Sequence, residues 1–245
     1  MDTDLHVLCM VAHPDDAEIM AGGTLIKLVD QGYRVGIIDF TCGEMSTRGT
    51  PQEREQEAAC AAKVMGVQVR ENLHFPDAFV ESTVANRRPV IEAIRRYRPR
   101  LIITSDLNTR NPDHSHVARL VRESAFNAGL VKYDTGKKRH RPDKILYAME
   151  YFEAEPSFAV NIAARWERKM QALACHQSQL FNPGYQGENT YISSNQFIRD
   201  IESRFRYWGA KIHCDYAEVF RIETLLEIED VVKEVALRGI IPGQE

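Results

Sequence analysis

The sequence contains few of the features that mark secreted or membrane proteins. It has five cysteines among 245 residues and no Cys-x-x-Cys pair, so we expect reduced thiols in a cytosolic protein rather than a disulfide framework. Near the N-terminus, Asp2 and Asp4 precede only a short apolar run, which lacks the basic region of a secretory signal and the length of a membrane span. These absences predict a cytoplasmic protein that does not contact a membrane.

The chain also lacks an excess of basic charge. Its 31 lysines and arginines are outnumbered by 35 aspartates and glutamates, which gives a net charge of -4, so no overall positive field would attract nucleic acid. The basic run 137–141 is most simply a solvated loop. Because no Pro-, Gly- or Ser-rich linker divides the sequence, we expect one domain over 1–245 whose partner is a small molecule.

Short apolar runs alternate with segments of helical character in the first half of the chain. Strands are predicted at 5–12, 34–40, 69–75 and 101–104, and helices at 16–32, 51–65, 84–98 and 114–130. This alternation is typical of right-handed crossovers between parallel strands. It predicts a Rossmann-like, three-layer α/β domain with a mostly parallel sheet.

The second half of the chain is expected to add to this core. We divide the domain into a core over 1–130 and C-terminal α/β elements over 131–245 that contribute substrate, lid and oligomer contacts. Strands are predicted at 144–149 and 217–222, and helices at 162–178 and 195–208. The segment 181–190, which contains Pro183, Gly184 and Gly187, is a predicted loop and lid.

The segment 11–18 (VAHPDDAE) places an imidazole and two adjacent carboxylates where the first strand turns into a helix. Side chains at the carboxyl ends of such strands face the crevice where ligands bind. His13 and Asp16 can bind one ion if Asp16 lies in the first helical turn, whereas Asp15 points elsewhere. Helix capping alone would explain one carboxylate but hardly the whole group. The segment therefore predicts a metal site.

A second polar cluster, 111–116 (NPDHSH), also follows an apolar strand and precedes a helix, so it lies at the same edge of the sheet. His114 adds a third ligand to His13 and Asp16 and leaves the fourth position open, as in catalytic zinc sites. Imidazole and carboxylate ligands suit Zn²⁺, but Fe²⁺, cobalt or manganese would also bind. The metal's identity therefore stays open between zinc and another divalent ion.

The remaining carboxylates suggest how such a site would work. Asp15 is predicted to stay uncoordinated and to act as general base, because bound zinc brings the pKa of its water to about 7. The same carboxyl group could then deliver the proton to a leaving amine. Asp113 is expected to orient a ligand histidine through the free ring nitrogen. This chemistry is amide hydrolysis by activated water.

The two clusters resemble the paired signature of the LmbE and PIG-L-like zinc de-N-acetylases, whose members remove acetyl groups from N-acetylglucosamine units. The residues that carry the resemblance are His13-Pro14-Asp15-Asp16, Pro112-Asp113-His114, Gly43-Glu44, Thr47-Arg48-Gly49-Thr50, Arg54-x-x-Glu57, Pro76-Asp77 and Ser178-Gln179. They extend over nearly the whole chain. Together they are most similar to the bacillithiol-biosynthesis branch, which deacetylates N-acetylglucosaminyl malate.

This resemblance implies roles for particular residues. His13, Asp16 and His114 match the zinc ligands and Asp15 matches the base, while Glu44, Arg54 and Asp77 match positions that hold the sugar and the acyl group. Arg110, beside the second cluster, is expected to meet a substrate carboxylate. Each of the last four also has a plain structural explanation, as a solvated loop residue, a helix pair or a turn at a strand end.

Asn111 departs from the family pattern, which usually has a histidine three residues before the last zinc ligand. An amide can donate a hydrogen bond to an oxyanion, so we still place Asn111 among the catalytic residues. It cannot donate a proton, and the acid role would fall on Asp15 alone or on His116 if the helix phase allows it.

Several other functions stay open at this point. An enzyme of the same kind could be a thiol-sugar S-conjugate amidase or a deacetylase of another small glycan. The non-enzyme alternatives are an inactive metal-binding protein and a nucleotide-binding Rossmann-like domain. The latter is disfavoured because Pro14-Asp15-Asp16 replaces the glycine-rich cradle, and carboxylates there would repel a pyrophosphate. By analogy with relatives, we expect a homo-oligomer.

Overall fold

A seven-stranded sheet forms the centre of the computed structural model, which describes residues 4–149 and 155–236. Its strands are β1 (Val7–Val11), β2 (Val35–Thr41), β3 (Val69–Phe75), β4 (Leu101–Ser105), β5 (Lys144–Ala148), β6 (Phe158–Asn161) and β7 (Ala217–Ile222), in the order β3-β2-β1-β4-β5-β7-β6. The pairs from β3 to β5 are parallel, whereas β7 runs antiparallel to β5 and β6. The predicted α/β fold with a mostly parallel sheet is confirmed.

Helices cover both faces of this sheet. They are α1 (Asp16–Asp30), α2 (Pro51–Met65), α3 (Val84–Tyr97), α4 (Pro112–Ala128), α5 (Trp166–Leu173) and α6 (Asn195–Lys211), with a 3₁₀ turn at Ala163–Arg165 and a π-helical turn at Val232–Ala236. Along β1, side chains alternate between a core shared with α3 and α4 and a core shared with α1 and α2. Every residue of β1 is therefore buried, which explains its uniformly apolar sequence.

The bounds of α2 follow directly from local sequence. The Thr50 side chain accepts a hydrogen bond from the Glu53 amide at 3.2 Å, and the Glu53 carboxylate accepts one from the Thr50 amide at 2.7 Å. Pro51 lies at the first helical position, and Gly66 ends the helix with φ 78°. The helix accordingly begins and ends where the sequence predicts.

The C-terminal half differs more from expectation. Strand β6 was not predicted, because its four residues (FAVN) form a short edge strand whose partner β7 lies far along the chain. The helix expected over 162–178 is instead a 3₁₀ turn followed by the shorter α5. Strands β5 to β7 nevertheless continue the sheet of the N-terminal half, while the division at residue 130 stays a prediction.

A disulfide joins Cys60 in α2 to Cys175 just after α5, with the Cα atoms 5.8 Å apart. The expectation that all cysteines are reduced thiols is therefore wrong for this pair. Its members are separated by 115 residues, so only the packing of α2 against α5 brings them together. Cys9, Cys42 and Cys214 are free.

Two further expectations concern the surface of the molecule. Among the described residues, no helix is both long and apolar enough to cross a bilayer. Within the predicted lid 181–190, the Tyr185 ring lies 4.6 Å from the Arg48 guanidinium. The role of this segment as a lid stays a prediction.

Candidate active site

The two polar clusters meet at the carboxyl ends of β1 and β4, which are neighbours in the sheet. Both clusters border a cavity of about 440 Å³. Its lining residues are His13, Asp15, Asp16, Ile19, Met45, Ser46, Arg54, Asp77, Ala78, Arg110, Asn111, Pro112, Asp113, His114, Gln179, Ile192, Phe197 and Arg204. The strand-end position of the site is therefore what the alternating sequence pattern predicts.

His13, Asp16 and His114 form a compact triangle of potential metal ligands. His13 Nδ1 lies 3.2 Å from Asp16 Oδ2 and 3.3 Å from His114 Nε2, and His114 Nε2 lies 3.1 Å from Asp16 Oδ1. Ligands about 2.0–2.1 Å from a tetrahedral zinc lie about 3.3–3.4 Å apart. The three donor groups thus have the chemistry and nearly the spacing that one divalent cation requires.

Local structure fixes both halves of this triangle. Asp16 is the first residue of α1, and its Oδ2 accepts a hydrogen bond from the His13 amide at 2.8 Å. His114 lies in the first turn of α4, which begins at Pro112 after an N-cap at Asn111. A strand followed at once by a capped helix therefore orients each ligand.

The far side of the His13 ring faces two carboxylates. His13 Nε2 lies 3.1 Å from Asp77 Oδ1 and 3.7 Å from Asp113 Oδ2. Asp77 is itself held by the Met45 amide at 2.9 Å, and Asp113 by the Ala78 amide at 2.7 Å. A proton on Nε2 would satisfy these carboxylates and would leave Nδ1 free for a metal ion, which is the usual task of groups behind a ligand histidine.

The ionisable groups of the site shift one another's pKa. Burial favours the neutral carboxyl of Asp16, yet the imidazoles of His114 and His13 hold its pKa well below the usual range. Burial raises the pKa of Asp15, and the Arg54 guanidinium opposes that rise only in part. The Asp16 carboxylate between two imidazoles is a group that a divalent cation would attract.

The residues predicted to bind substrate fall into two groups. Asp77, Arg54 and Arg110 line the cavity, whereas Glu44 is not among the lining residues. Instead, Glu44 Oε1 accepts a hydrogen bond from the Asp77 amide at 2.8 Å. One oxygen of the Glu44 carboxylate thus braces the backbone where β3 ends, and the contact of Glu44 with substrate stays a prediction.

Asn111 and His116 were the two residues proposed in place of the family histidine. Asn111 lines the cavity, and its Oδ1 accepts a hydrogen bond from the Asp113 amide at 3.0 Å. His116 is not a lining residue, because its Nδ1 lies 2.7 Å from the Val80 carbonyl oxygen. His116 therefore contacts Val80 rather than the cavity lining, and the catalytic role of Asn111 stays a prediction.

Several lining residues were missed because sequence carries little signal for them. Gln179 was noted only through the family resemblance, and Arg204 lies on the amphipathic α6, where an arginine is expected on any solvated face. Glu57 supplies the link that brings Gln179 to the site, since its carboxylate accepts from the Ser178 amide and hydroxyl at 2.6 and 2.8 Å. Contacts of this kind depend on tertiary packing alone.

Comparison with known proteins places this site in context. The family described as "PIG-L: GlcNAc-PI de-N-acetylase" matches residues 8–125. That span contains both polar clusters and runs from β1 into α4. It is the part of the chain that holds the triangle of potential metal ligands.

Relatives extend the similarity beyond this span. The chain is 31% identical to a diacetylchitobiose deacetylase of Thermococcus kodakarensis over 88% of this chain and 82% of that protein. It is 31% identical to a probable N-acetyl-alpha-D-glucosaminyl L-malate deacetylase 2 of Bacillus cereus over 71% of this chain and 83% of that protein. A conserved protein of Thermus thermophilus has a crystal structure that superposes with a TM-score of 0.83 at 32% identity, covering 91% and 97% of the two chains.

Proposed function

Because this chain belongs to the PIG-L family of de-N-acetylases, we propose that it is a metal-dependent hydrolase that removes the acetyl group from an N-acetylglucosaminide. The observation that carries the proposal is the triangle of His13, Asp16 and His114 with the Asp15 carboxylate beside it in one cavity. A capped helix terminus would explain one of these groups, but not two imidazoles that converge from positions 101 residues apart.

The metal proposed for this site is zinc, with Fe²⁺ as the alternative. Two imidazoles and one carboxylate are a ligand set that zinc hydrolases use, and the separations of the donor atoms fit a tetrahedral ion. The cation would supply Lewis acidity for the acetyl carbonyl and for the attacking water. His13, Asp16 and His114 would hold it, and the fourth position would be left for the reactants.

The remaining residues provide proton transfer and orientation. Asp15 takes the proton of the attacking water and passes it to the departing amine, so a single carboxyl group acts first as base and then as acid. The Asn111 amide donates a hydrogen bond to the negative charge that develops on the acyl oxygen. Asp77 and Asp113 keep the His13 ring in the orientation that metal binding needs.

The preferred substrate is an N-acetylglucosaminide with an acidic aglycone, and N-acetylglucosaminyl malate is the first candidate. Arg110 and Arg204 both line the cavity. Within residues 4–149 and 155–236, Arg204 makes no hydrogen bond or ion pair, so its guanidinium is available to a carboxylate. Diacetylchitobiose is the second candidate, since the archaeal relative that acts on it matches most of this chain.

Substrate profiling tests this proposal. Purified protein stripped with a chelator and then reconstituted with Zn²⁺ or Fe²⁺ is assayed for acetate release from N-acetylglucosaminyl malate, diacetylchitobiose and a neutral methyl N-acetylglucosaminide, and for amine release from a thiol-sugar S-conjugate. We expect metal-dependent acetate release, with the highest kcat/KM for the malate conjugate. Release from the S-conjugate without acetate release from any N-acetylglucosaminide would contradict a deacetylase function.

We also propose that the protein self-associates. The segment that follows β7 exposes a series of apolar side chains, namely Leu225, Leu226, Ile228, Val231, Val232 and Val235, with Leu225 94% exposed. Exposed apolar surface of this kind is typical of a protein interface. We propose that a second copy of the chain covers this surface, because we expect a homo-oligomer and symmetric self-association is the commonest form of soluble assembly.

A further inference from the structure

Asp15 has a backbone conformation that L-residues rarely adopt. Its φ is 155° and its ψ is -24°. The Asp15 side chain does not cap α1, because it accepts no hydrogen bond from the helix amides. A strained residue persists only where its surroundings hold it in place. A neighbouring group must therefore hold Asp15 in this conformation.

Arg54 is that group. Its side chain is almost fully buried, with 3% of the residue exposed. Arg54 Nη2 donates to the Pro14 carbonyl oxygen at 2.9 Å and to Asp15 Oδ2 at 3.2 Å. One guanidinium nitrogen thus holds both the backbone before Asp15 and the carboxylate of Asp15. Asp15 Oδ1 receives no hydrogen bond within the described part of the chain.

The loop after β2 is shaped to admit this guanidinium. Arg54 Nη1 donates to the Gly43 carbonyl oxygen at 3.2 Å, and a Cβ added to Gly43 would lie 1.7 Å from that nitrogen. Gly43 also has φ 66°, which a side chain would disfavour. The glycine is therefore required both for its own conformation and for the position of Arg54.

The Arg54 side chain extends from a capped helix. It lies in the first turn of α2, where its amide donates to the Thr50 carbonyl oxygen at 3.0 Å within the capping box described above. A side chain on a capped helix can fix the geometry of a neighbour more firmly than one on a loop. Three hydrogen bonds of the Arg54 guanidinium go to the protein, whereas its buried Nε has no hydrogen-bond partner among the described residues.

We propose that Arg54 is a positioning residue for the general base: it holds Asp15 through Pro14 O and Asp15 Oδ2 so that Asp15 Oδ1 faces the reacting water. This inference rests on the proposed deacetylase function. It differs from the role that family resemblance implies for Arg54, which is to hold the substrate.

Steady-state kinetics distinguish these two roles. In Arg54→Gln, a misplaced base lowers kcat about 100-fold, while KM stays within about twofold because ground-state binding is retained. Arg54→Lys restores one bond to the clamp and recovers part of the loss. Arg88→Gln, which alters a surface arginine on α3 that pairs with Glu92, is the matched control and keeps wild-type rates. A large rise in KM with kcat unchanged would overturn the proposal and support sugar binding.

A double-mutant cycle sharpens the test. If Arg54 acts through Asp15, then Arg54→Gln has little further effect on kcat in the Asp15→Asn background, since the group that it positions is already lost. Independent, multiplicative losses would overturn the proposal. Metal content and the melting temperature are measured for every variant, and Arg54→Lys serves if the glutamine variant does not fold.

A readout without activity separates this inference from the proposed function. In a crystal structure of Arg54→Gln, we expect Asp15 to leave its strained φ and the carboxylate to move, while the ligand triangle is kept. An unchanged Asp15 would overturn the clamp even if the enzyme is active. If wild-type protein releases no acetate from any substrate but Asp15 does move, the proposed function fails and the structural role of Arg54 stands.

Discussion

The chemistry of this site is decided by which atom of each side chain faces which neighbour. His13 presents Nδ1 to Asp16 and His114, whereas its Nε2 faces Asp77 and Asp113. If the ring were flipped, Nε2 would face Asp16 and His114, and Nδ1 would face the carboxylates of Asp77 and Asp113. Residue types alone do not specify this orientation, which is why Asp77 was predicted as a substrate contact and its role behind His13 was not foreseen.

Asp15 carries the most specific prediction at the residue scale. Asp15→Asn keeps the shape of the side chain but removes the base, so we expect turnover to fall by about 10²–10⁴-fold while bound metal is retained. His114→Ala removes a ligand and should lose the metal itself. Metal analysis beside acetate release checks both variants. Near-wild-type turnover in Asp15→Asn would show that another group is the base.

Asn111 carries a second prediction, on rate and stability together. Asn111→His restores the residue usual in the family and should raise the rate of the chemical step, because an imidazolium donates a proton as well as a hydrogen bond. The variant also loses the cap that Asn111 provides to α4, at a cost of about 1 kcal/mol, which lowers the melting temperature by about 2–4 °C. Single-turnover kinetics and calorimetry measure the two effects. An unchanged or lower rate would mean that the pocket is built around Asn111.

At the scale of elements, a buried ion pair connects α1, α5 and β7 behind the active site. Lys169 Nζ donates to Glu218 Oε1 at 2.6 Å and to the Ile19 carbonyl oxygen at 2.9 Å. Glu218 in turn accepts from the amides of Gly23 and Thr24 in α1 at 2.8 and 2.7 Å. Since Ile19 lines the cavity, this pair also fixes one wall of the site.

This ion pair leads to a prediction on stability. Lys169→Met leaves the buried Glu218 carboxylate without its cation, so we expect a loss of about 3–5 kcal/mol in the free energy of unfolding. The double variant Lys169→Met with Glu218→Gln should lose less, because no uncompensated charge remains. Chemical denaturation measures both, and equal losses in the single and double variants would contradict this explanation.

The same lysine should appear in the pH dependence of stability. Burial lowers the pKa of Lys169, and Glu218 offsets that effect only in part. The unfolded chain then holds this proton more tightly than the folded protein does, so the contribution of Lys169 to stability rises with pH up to about 10.5. We expect this contribution to be absent from Lys169→Met when unfolding is followed against pH.

Local sequence determines some elements more completely than others. The bounds of α2 could be predicted because Thr50, Pro51, Glu53 and Gly66 act within one turn of the helix ends. Strand β6 could not, because the strand that pairs with it among the described residues is the distant β7 and its four residues carry no alternating pattern. The disulfide between Cys60 and Cys175 was likewise hidden, since α2 and α5 meet only in the folded chain.

At the scale of the whole molecule, topology explains why the convergence of His13 and His114 could be predicted and the cavity walls could not. His13 and His114 follow strands that a parallel sheet must align at one edge. Gln179 and Arg204 reach the same cavity from elements after β5, whose placement depends on how the C-terminal half packs. The sequence therefore predicts the reaction type better than the substrate.

Self-association is also a property of the whole molecule, and the apolar segment after β7 provides its test. A chain that ends at Glu223 removes the exposed side chains from Leu225 onward. We expect wild-type protein to sediment as an oligomer and the shortened chain to sediment as a smaller species. Val231→Glu with Val235→Glu is the companion variant that keeps the chain length. A monomeric wild-type protein would contradict the proposed interface.

The central claim is that one divalent cation sits among His13, Asp16 and His114, and anomalous X-ray diffraction from crystals of the zinc-reconstituted protein tests it most directly. The account predicts a single strong peak at the zinc edge within about 2.0–2.2 Å of His13 Nδ1, His114 Nε2 and an Asp16 carboxylate oxygen, and its loss in crystals of His114→Ala. Zinc bound elsewhere, with the two imidazoles turned away from each other, would contradict it.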